Sequence, residues 1–119
     1  MNRSVTYGSY GSFGSLPELV RAASNAPLLD PEEDRRLARE AREGQDEALD
    51  SLVKAHLRLV VDEAIRHRDH FVRTGDLVSR GLKGLHWAAP RFDPEVHESF
   101  WTYARQAVRA EIRKTDRPD

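Results

Sequence analysis

The stretch that decides the fold is residues 50–112, which read DSLVKAHLRLVVDEAIRHRDHFVRTGDLVSRGLKGLHWAAPRFDPEVHESFWTYARQAVRAEI. Apolar residues in and just before it recur at steps of three and four, the spacing of one buried helix face. The first such stripe comprises Leu49, Leu52, Val53, His56, Leu57, Val60, Val61 and Ala64. It predicts one long helix over residues 47–68, the longest of the chain. No segment alternates apolar and polar residues convincingly as a half-buried strand does, so the predicted fold class is all-α.

Four further helices are indicated by signals at their ends. Ser15 and Glu18 have the spacing of a capping box. Asp30 stands before Pro31 as an N-cap acid before a proline at the first helical position. Ser99 is a candidate N-cap for the last helix. The predicted helices are residues 15–24, 30–43, 74–89 and 99–112. Together with residues 47–68 they predict a compact bundle of five helices within one domain, residues 15–114.

Composition limits the classes of function. The chain has 119 residues, of which 39% are hydrophobic and 33% charged, and a formal net charge of −1. A near-zero charge gives no general attraction to nucleic acid, so any DNA contact requires a local patch. The absence of cysteine excludes disulfides and thiolate metal sites. No apolar run reaches the length of a membrane span, and no signal peptide is recognisable, so we expect a cytoplasmic protein.

The two ends of the chain differ from its middle. Residues 1–14 are rich in Gly, Ser and spaced aromatic residues, a composition typical of a disordered tail. Residues 115–119 are polar and are predicted to be a C-terminal tail.

The last predicted helix carries a possible nucleic-acid surface. Trp101, Arg105, Arg109 and Arg113 recur at steps of four, so they share one face. Tryptophan can stack on a base and arginines can pair with phosphates. The competing interpretation is an ordinary solvated cationic face. Phe100 and Tyr103 could likewise form a pocket for unstacked bases, or could belong to the core and leave only Trp101 exposed.

No pattern indicates catalysis or a cofactor. Glu63, His67 and His70 lie one helical turn apart, but a fourth ligand is not evident, and solvated histidines explain them more simply. No local spacing implies a hydroxyl–histidine–acid triad. We therefore expect a protein that is not an enzyme and holds no metal or other cofactor.

Three segments carry a family resemblance: LVKAHLRLVV at 52–61, DLVSRGLKGLHWAAPRFDP at 76–94 and FWTY at 100–103. Their order and spacing resemble the second conserved region of bacterial sigma factors of the sigma-70 superfamily. Residues 27–44 resemble the end of the first region. The third and fourth regions have no counterpart in these 119 residues.

The resemblance implies two surfaces. In the family, the helix corresponding to residues 76–89 docks on a coiled coil of the largest subunit of core RNA polymerase. Rings matching Phe100 and Tyr103 help to hold a flipped, single-stranded base of the minus-ten promoter element. The implied partner-binding residues are Asp76, Ser79, Arg80, Lys83 and Trp87. Together with the tryptophan and arginine face described above, the candidate DNA-binding residues are Phe100, Trp101, Thr102, Tyr103, Arg105, Arg109 and Arg113.

Departures from the family pattern bear on which function is retained. Arg80 stands where an acidic residue is typical, and Gln106 and Ala107 stand where primary sigma factors have a paired tryptophan. These changes favour a regulator that binds polymerase, a sigma factor or another transcription component over a minimal or split sigma factor that itself recognises minus-ten-like DNA. Two further interpretations are a piece of a longer sigma factor and a helical interaction module without DNA binding.

Overall fold

The computed structural model describes residues 10–69 and 72–114. In these ranges the chain forms one short 3-10 helix and six α-helices, with no strand. The 3-10 helix is Gly11–Phe13, and the α-helices are α1 Leu16–Asn25, α2 Pro31–Arg42, α3 Asp46–Ala55, α4 Leu57–His67, α5 Thr74–Ala88 and α6 Phe100–Arg113. The prediction of an all-α fold is confirmed. None of the helices within those ranges is both long and apolar enough to cross a membrane.

The helix starts follow the capping signals in the sequence. The Ser15 hydroxyl accepts a hydrogen bond from the backbone N–H of Glu18 at 3.3 Å, and Asp30 Oδ1 accepts from that of Glu33 at 2.9 Å. The Ser99 hydroxyl accepts from the N–H of Thr102 at 3.1 Å. Each cap satisfies a backbone donor that has no partner within its helix.

The helix predicted over residues 47–68 is in fact two helices, because the chain leaves helical geometry at His56. His56 Nδ1 lies 2.9 Å from the carbonyl oxygen of Leu52, the acceptor that an uninterrupted helix would give to the His56 N–H. That N–H donates instead to the Val53 carbonyl at 3.0 Å. The imidazole thus replaces a backbone donor and ends α3. The longest helix is α5, with 15 residues.

The core lies where α4 and α5 pack against α6. Leu57, Val60, Leu85 and Val108, all predicted to be buried, have no exposed surface. A Cβ at Gly84 of α5 would lie 2.6 Å from the Ala107 carbonyl oxygen of α6, so these two helix backbones approach as closely as glycine allows.

The predicted tails are described only in part. Residues 1–9 and the predicted C-terminal tail, residues 115–119, lie outside the described residues. Residues 10–14, also part of the predicted tail, contact the domain: the Tyr10 hydroxyl donates to the Gly75 carbonyl at 3.3 Å, and Phe13 packs against the core.

Candidate functional site

One face of α5 is turned away from the core. Asp76, Lys83 and Trp87 are exposed on it, and Ser79 and Arg80 are half-buried. The opposite face contains Leu77, Val78, Gly81, Leu82 and Leu85, all of which are buried. The five predicted partner-binding residues therefore lie along one side of a helix whose other side is packed into the core.

Trp87 is the largest apolar side chain on this face, and 51% of its surface is exposed. The guanidinium carbon of Arg91 lies 4.5 Å from the centroid of its ring. The same guanidinium donates to the Trp87 carbonyl at 2.7 Å. A cation–π contact thus covers one face of the indole and leaves the rest of the ring open.

Arg80 has a structural role that the sequence did not predict. Its Nη1 donates to the carbonyl of Lys114 at 2.8 Å and to that of Ile112 at 3.4 Å. These carbonyls stand at the C-terminal end of α6, where acceptors lack helical partners and the helix dipole is negative. Arg80, which was predicted to bind a partner, therefore also caps α6 with its guanidinium.

The aromatic cluster FWTY is divided between core and surface. Phe100 is only 1% exposed, with its ring centroid 4.5 Å from that of His56 and 5.3 Å from that of Phe92. Tyr103 is half-buried, with its ring centroid 4.2 Å from that of His97. Trp101 is 39% exposed. Phe100 thus lies in the core and Trp101 is exposed, as in the interpretation in which only Trp101 faces solvent, although Tyr103 is only partly buried.

The arginine stripe on α6 is interrupted by an ion pair. Arg109 Nε and Nη2 donate to the two carboxylate oxygens of Glu63 on α4, each at 3.1 Å. Glu63 is 2% exposed. Arg109, predicted to bind DNA, is thus engaged in joining two helices. Arg105 remains half-buried, and Thr102 and Arg113 are exposed.

The ion pair decides the charge state of Glu63. Burial acts to raise the pKa of this carboxyl, but the hydrogen bonds and charge of Arg109, with help from His67 and Arg66, outweigh burial and hold the pKa below its ordinary value. Glu63 is therefore ionised in the folded protein at neutral pH. The sequence could have indicated this ion pair, because Glu63 lies within the apolar stripe of its helix. Charged side chains that are buried in this way are almost always paired.

A groove of about 370 Å³ runs between α5 and α6. It is lined by Gly84, Trp87, Tyr103, Gln106, Ala107, Ala110 and Glu111. In the sequence, Gln106 and Ala107 stand out only as departures from a tryptophan pair. In the fold, Gln106 and the small residues Gly84, Ala107 and Ala110 line the space beside Trp87.

Within the residues that the structure describes, no three His, Asp or Glu side chains are grouped so as to hold a metal ion. His70, one of the three residues considered for such a site, lies outside the described residues. Of the other two, Glu63 is turned toward Arg109.

Comparison with known proteins gives one family. The model for sigma-70 region 2 matches residues 52–117. Over 89 residues the chain is 38% identical to RNA polymerase sigma factor RpoH of Rhizobium radiobacter and of Zymomonas mobilis subsp. mobilis, and 36% identical to RpoH of Caulobacter vibrioides. Each alignment covers 74% of this chain and 30% of the relative, so the chain spans about a third of the length of these relatives.

Proposed function

Because the chain belongs to the sigma-70 region 2 family, we propose that it is a sigma-factor-like transcription protein that binds RNA polymerase in the cytoplasm and modulates promoter-dependent initiation. Its relatives are named as RNA polymerase sigma factors. The family is one of initiation factors without enzymatic activity, and the chain is accordingly not an enzyme.

The observation that carries the proposal is the outer face of α5. Asp76, Ser79, Lys83 and Trp87 stand side by side on it, while the other side of the helix is locked into the core. A rigid helix presenting charges around an exposed tryptophan is a favourable binding surface, since little ordering is needed when a partner docks.

Three features favour modulation over promoter opening by this chain alone. The Phe100 ring is buried, the Arg109 guanidinium is paired with Glu63, and Gln106 and Ala107 offer no large ring at the DNA fork. Holding a flipped base requires exposed aromatic faces to offset the loss of stacking. Among the aromatic rings of α6, Trp101 is the most exposed, at 39%.

The test is a titration of the chain against purified core RNA polymerase by biolayer interferometry. Asp76→Lys and Lys83→Glu each place the opposite charge on the face, and like charges at an interface cost several kcal/mol, so we expect at least a tenfold loss of affinity. Lys54→Glu, an exposed charge reversal on α3, is the matched control and should bind as the parent does.

Equal binding by the parent and both α5 variants would exclude this face as the interface. A parallel titration uses a free sigma factor. If the chain binds the sigma factor but does not bind core polymerase, its partner is a sigma factor and not the polymerase.

A second candidate function is recognition of single-stranded, minus-ten-like DNA. The observation favouring it is the exposed first turn of α6, where Trp101 and Thr102 lie one turn from Arg105. An aromatic ring beside a cation is the arrangement that single-stranded nucleic acid requires.

A further inference from the structure

The groove between α5 and α6 is largely apolar, and no segment of the described part of the chain fills it. Gly84 and Ala107 meet at its floor, where the two backbones cross closely, and Trp87 and Ala110 stand on opposite sides. Its volume of about 370 Å³ lies at the small end of the ~300–1,000 Å³ range of ligand pockets. The space suits a few side chains, not a whole cofactor.

Exposed cations flank the groove on both helices. On α5, Lys83 is exposed and lies one helical turn before Trp87. On α6, Arg113 is exposed and lies one turn after Ala110. The one acid in the lining, Glu111, is paired with Lys114 at 2.6 Å. An occupant with negative charge beside an apolar anchor would therefore be complementary to this surface.

The geometry at Trp87 favours a protein occupant over a nucleic acid. Arg91 already covers one face of the indole, so a base cannot stack there. The small residues Gly84, Ala107 and Ala110 offer a smooth apolar floor, which fits aliphatic or aromatic side chains projecting from a helix. An amphipathic helix inserting residues spaced by three or four into a groove is a common mode of peptide recognition.

We propose that the groove between α5 and α6 binds an acidic amphipathic helix of a protein partner, with an apolar side chain of that helix packed against Trp87. The inference rests on the proposed function, because Trp87 also belongs to the partner-binding face of α5. It adds to that function the chemical character of the partner segment that binds next to Trp87. Tryptophan and arginine are the residue types most often found at the energetic centre of such contacts.

The experiment uses the intrinsic fluorescence of Trp87 in a Trp101→Phe background, since Trp87 and Trp101 are the two tryptophans of the chain. The probe is a synthetic helical peptide with leucines at i, i+3 and i+7 flanked by glutamates. We expect saturable binding with a blue shift of Trp87 emission, weakened by salt. Two matched peptides, one with lysine for glutamate and one with serine for leucine, should each bind at least tenfold more weakly.

Variants of the protein locate the binding. Ala110→Glu fills the groove and opposes an acidic ligand, so it should weaken the peptide at least tenfold while circular dichroism shows an unchanged fold. Val96→Glu is the control, because it adds the same charge at an apolar residue that is 72% exposed outside α5 and α6; it should leave binding intact.

The proposal is overturned if the acidic peptide fails to bind, if the lysine peptide binds equally, or if Ala110→Glu has no effect. It is also overturned if a single-stranded oligonucleotide displaces the peptide stoichiometrically, or if sedimentation shows that a second copy of the chain occupies the groove. No polymerase is present in these titrations. If the acidic peptide does not bind but Lys83→Glu still weakens binding to polymerase, the inference about the groove is wrong. The proposed function is then unaffected.

Discussion

Glu63 on α4 and Arg109 on α6 form a two-point ion pair, with Nε–Oε1 and Nη2–Oε2 distances both 3.1 Å. The carboxylate is buried and the guanidinium lies partly at the surface. Bidentate geometry fixes the rotation of α6 about its axis as well as its distance from α4. The pair acts together with the buried stripe Phe100, Ala104, Val108 and Ile112, which places Trp101 on the exposed side of α6.

Replacing Glu63 with glutamine should destabilise the protein by about 2 kcal/mol, because it removes the charge that Arg109 needs while keeping the size of the side chain. Urea unfolding followed by circular dichroism measures the change. Glu95→Gln is the control: that carboxylate is 74% exposed and lies 3.5 Å from Arg39, so its loss should alter stability very little. Equal effects of the two substitutions would contradict a structural role for the Glu63–Arg109 pair.

The same carboxylate predicts a pH dependence. The pKa of Glu63 is lowered in the folded protein, whereas an unfolded glutamate has a pKa of about 4.3. Its stabilising contribution is therefore complete above the unfolded pKa and is lost as pH falls through the lower, folded pKa. The free energy of unfolding, measured from neutral pH to about pH 3, should fall less steeply in Glu63→Gln than in the parent. Parallel curves would show that this carboxylate has the same pKa in both states.

Arg80→Glu should destabilise the domain, by about 1 kcal/mol for the missing capping bonds and further because a carboxylate would face the negative end of α6. Lys83→Glu reverses an exposed charge on the same helix, so it serves as the matched control. Thermal unfolding distinguishes the two. A midpoint for Arg80→Glu no lower than that for Lys83→Glu would show that capping of α6 by Arg80 contributes nothing measurable.

Gly84→Ala should destabilise by about 2 kcal/mol, because the new methyl would lie 2.6 Å from the Ala107 carbonyl oxygen, a backbone atom that can retreat only if the helices separate. Gly81→Ala is a milder test, since its nearest neighbours at 3.0–3.3 Å are the side chains of Val60, Ile112 and Val108. There the better helix propensity of alanine, about 1 kcal/mol, offsets the crowding. Chemical denaturation of both variants shows which substitution destabilises more. A larger loss of stability in Gly81→Ala than in Gly84→Ala would contradict the close crossing at Gly84.

If α6 binds single-stranded DNA, Arg105→Ala with Arg113→Ala should weaken that binding without loss of stability. Fluorescence anisotropy at several salt concentrations should show the logarithmic salt slope falling by about 0.7 for each phosphate that is no longer neutralised. Arg109→Ala should instead lower the melting temperature, because it removes both hydrogen bonds that the buried Glu63 carboxylate accepts from Arg109. An unchanged slope in the double variant would exclude these arginines as phosphate ligands.

Much of the architecture followed from local patterns. The all-α class, the caps at Ser15, Asp30 and Ser99 and the burial of Leu57 and Val108 were predictable, because they depend on helical periodicity and on hydrogen bonds between residues three positions apart. The family could also be recognised, since its motifs are contiguous. The break at His56 was not predictable from periodicity, because the histidine sits in register with the apolar stripe and ends the helix through its side chain.

The sequence by itself determined which faces of the helices are apolar and where most helices begin. Only the tertiary structure decided what the charged residues do. In the sequence, Arg80 and Arg109 have the same description, a surface cation on an amphipathic helix. In the structure, Arg80 caps the end of α6, whereas Arg109 pairs with a buried carboxylate. Their partners lie more than thirty positions away in the chain. A charged side chain interacts most strongly with the nearest group of opposite charge or partial charge. Here those groups come close only when the helices pack together.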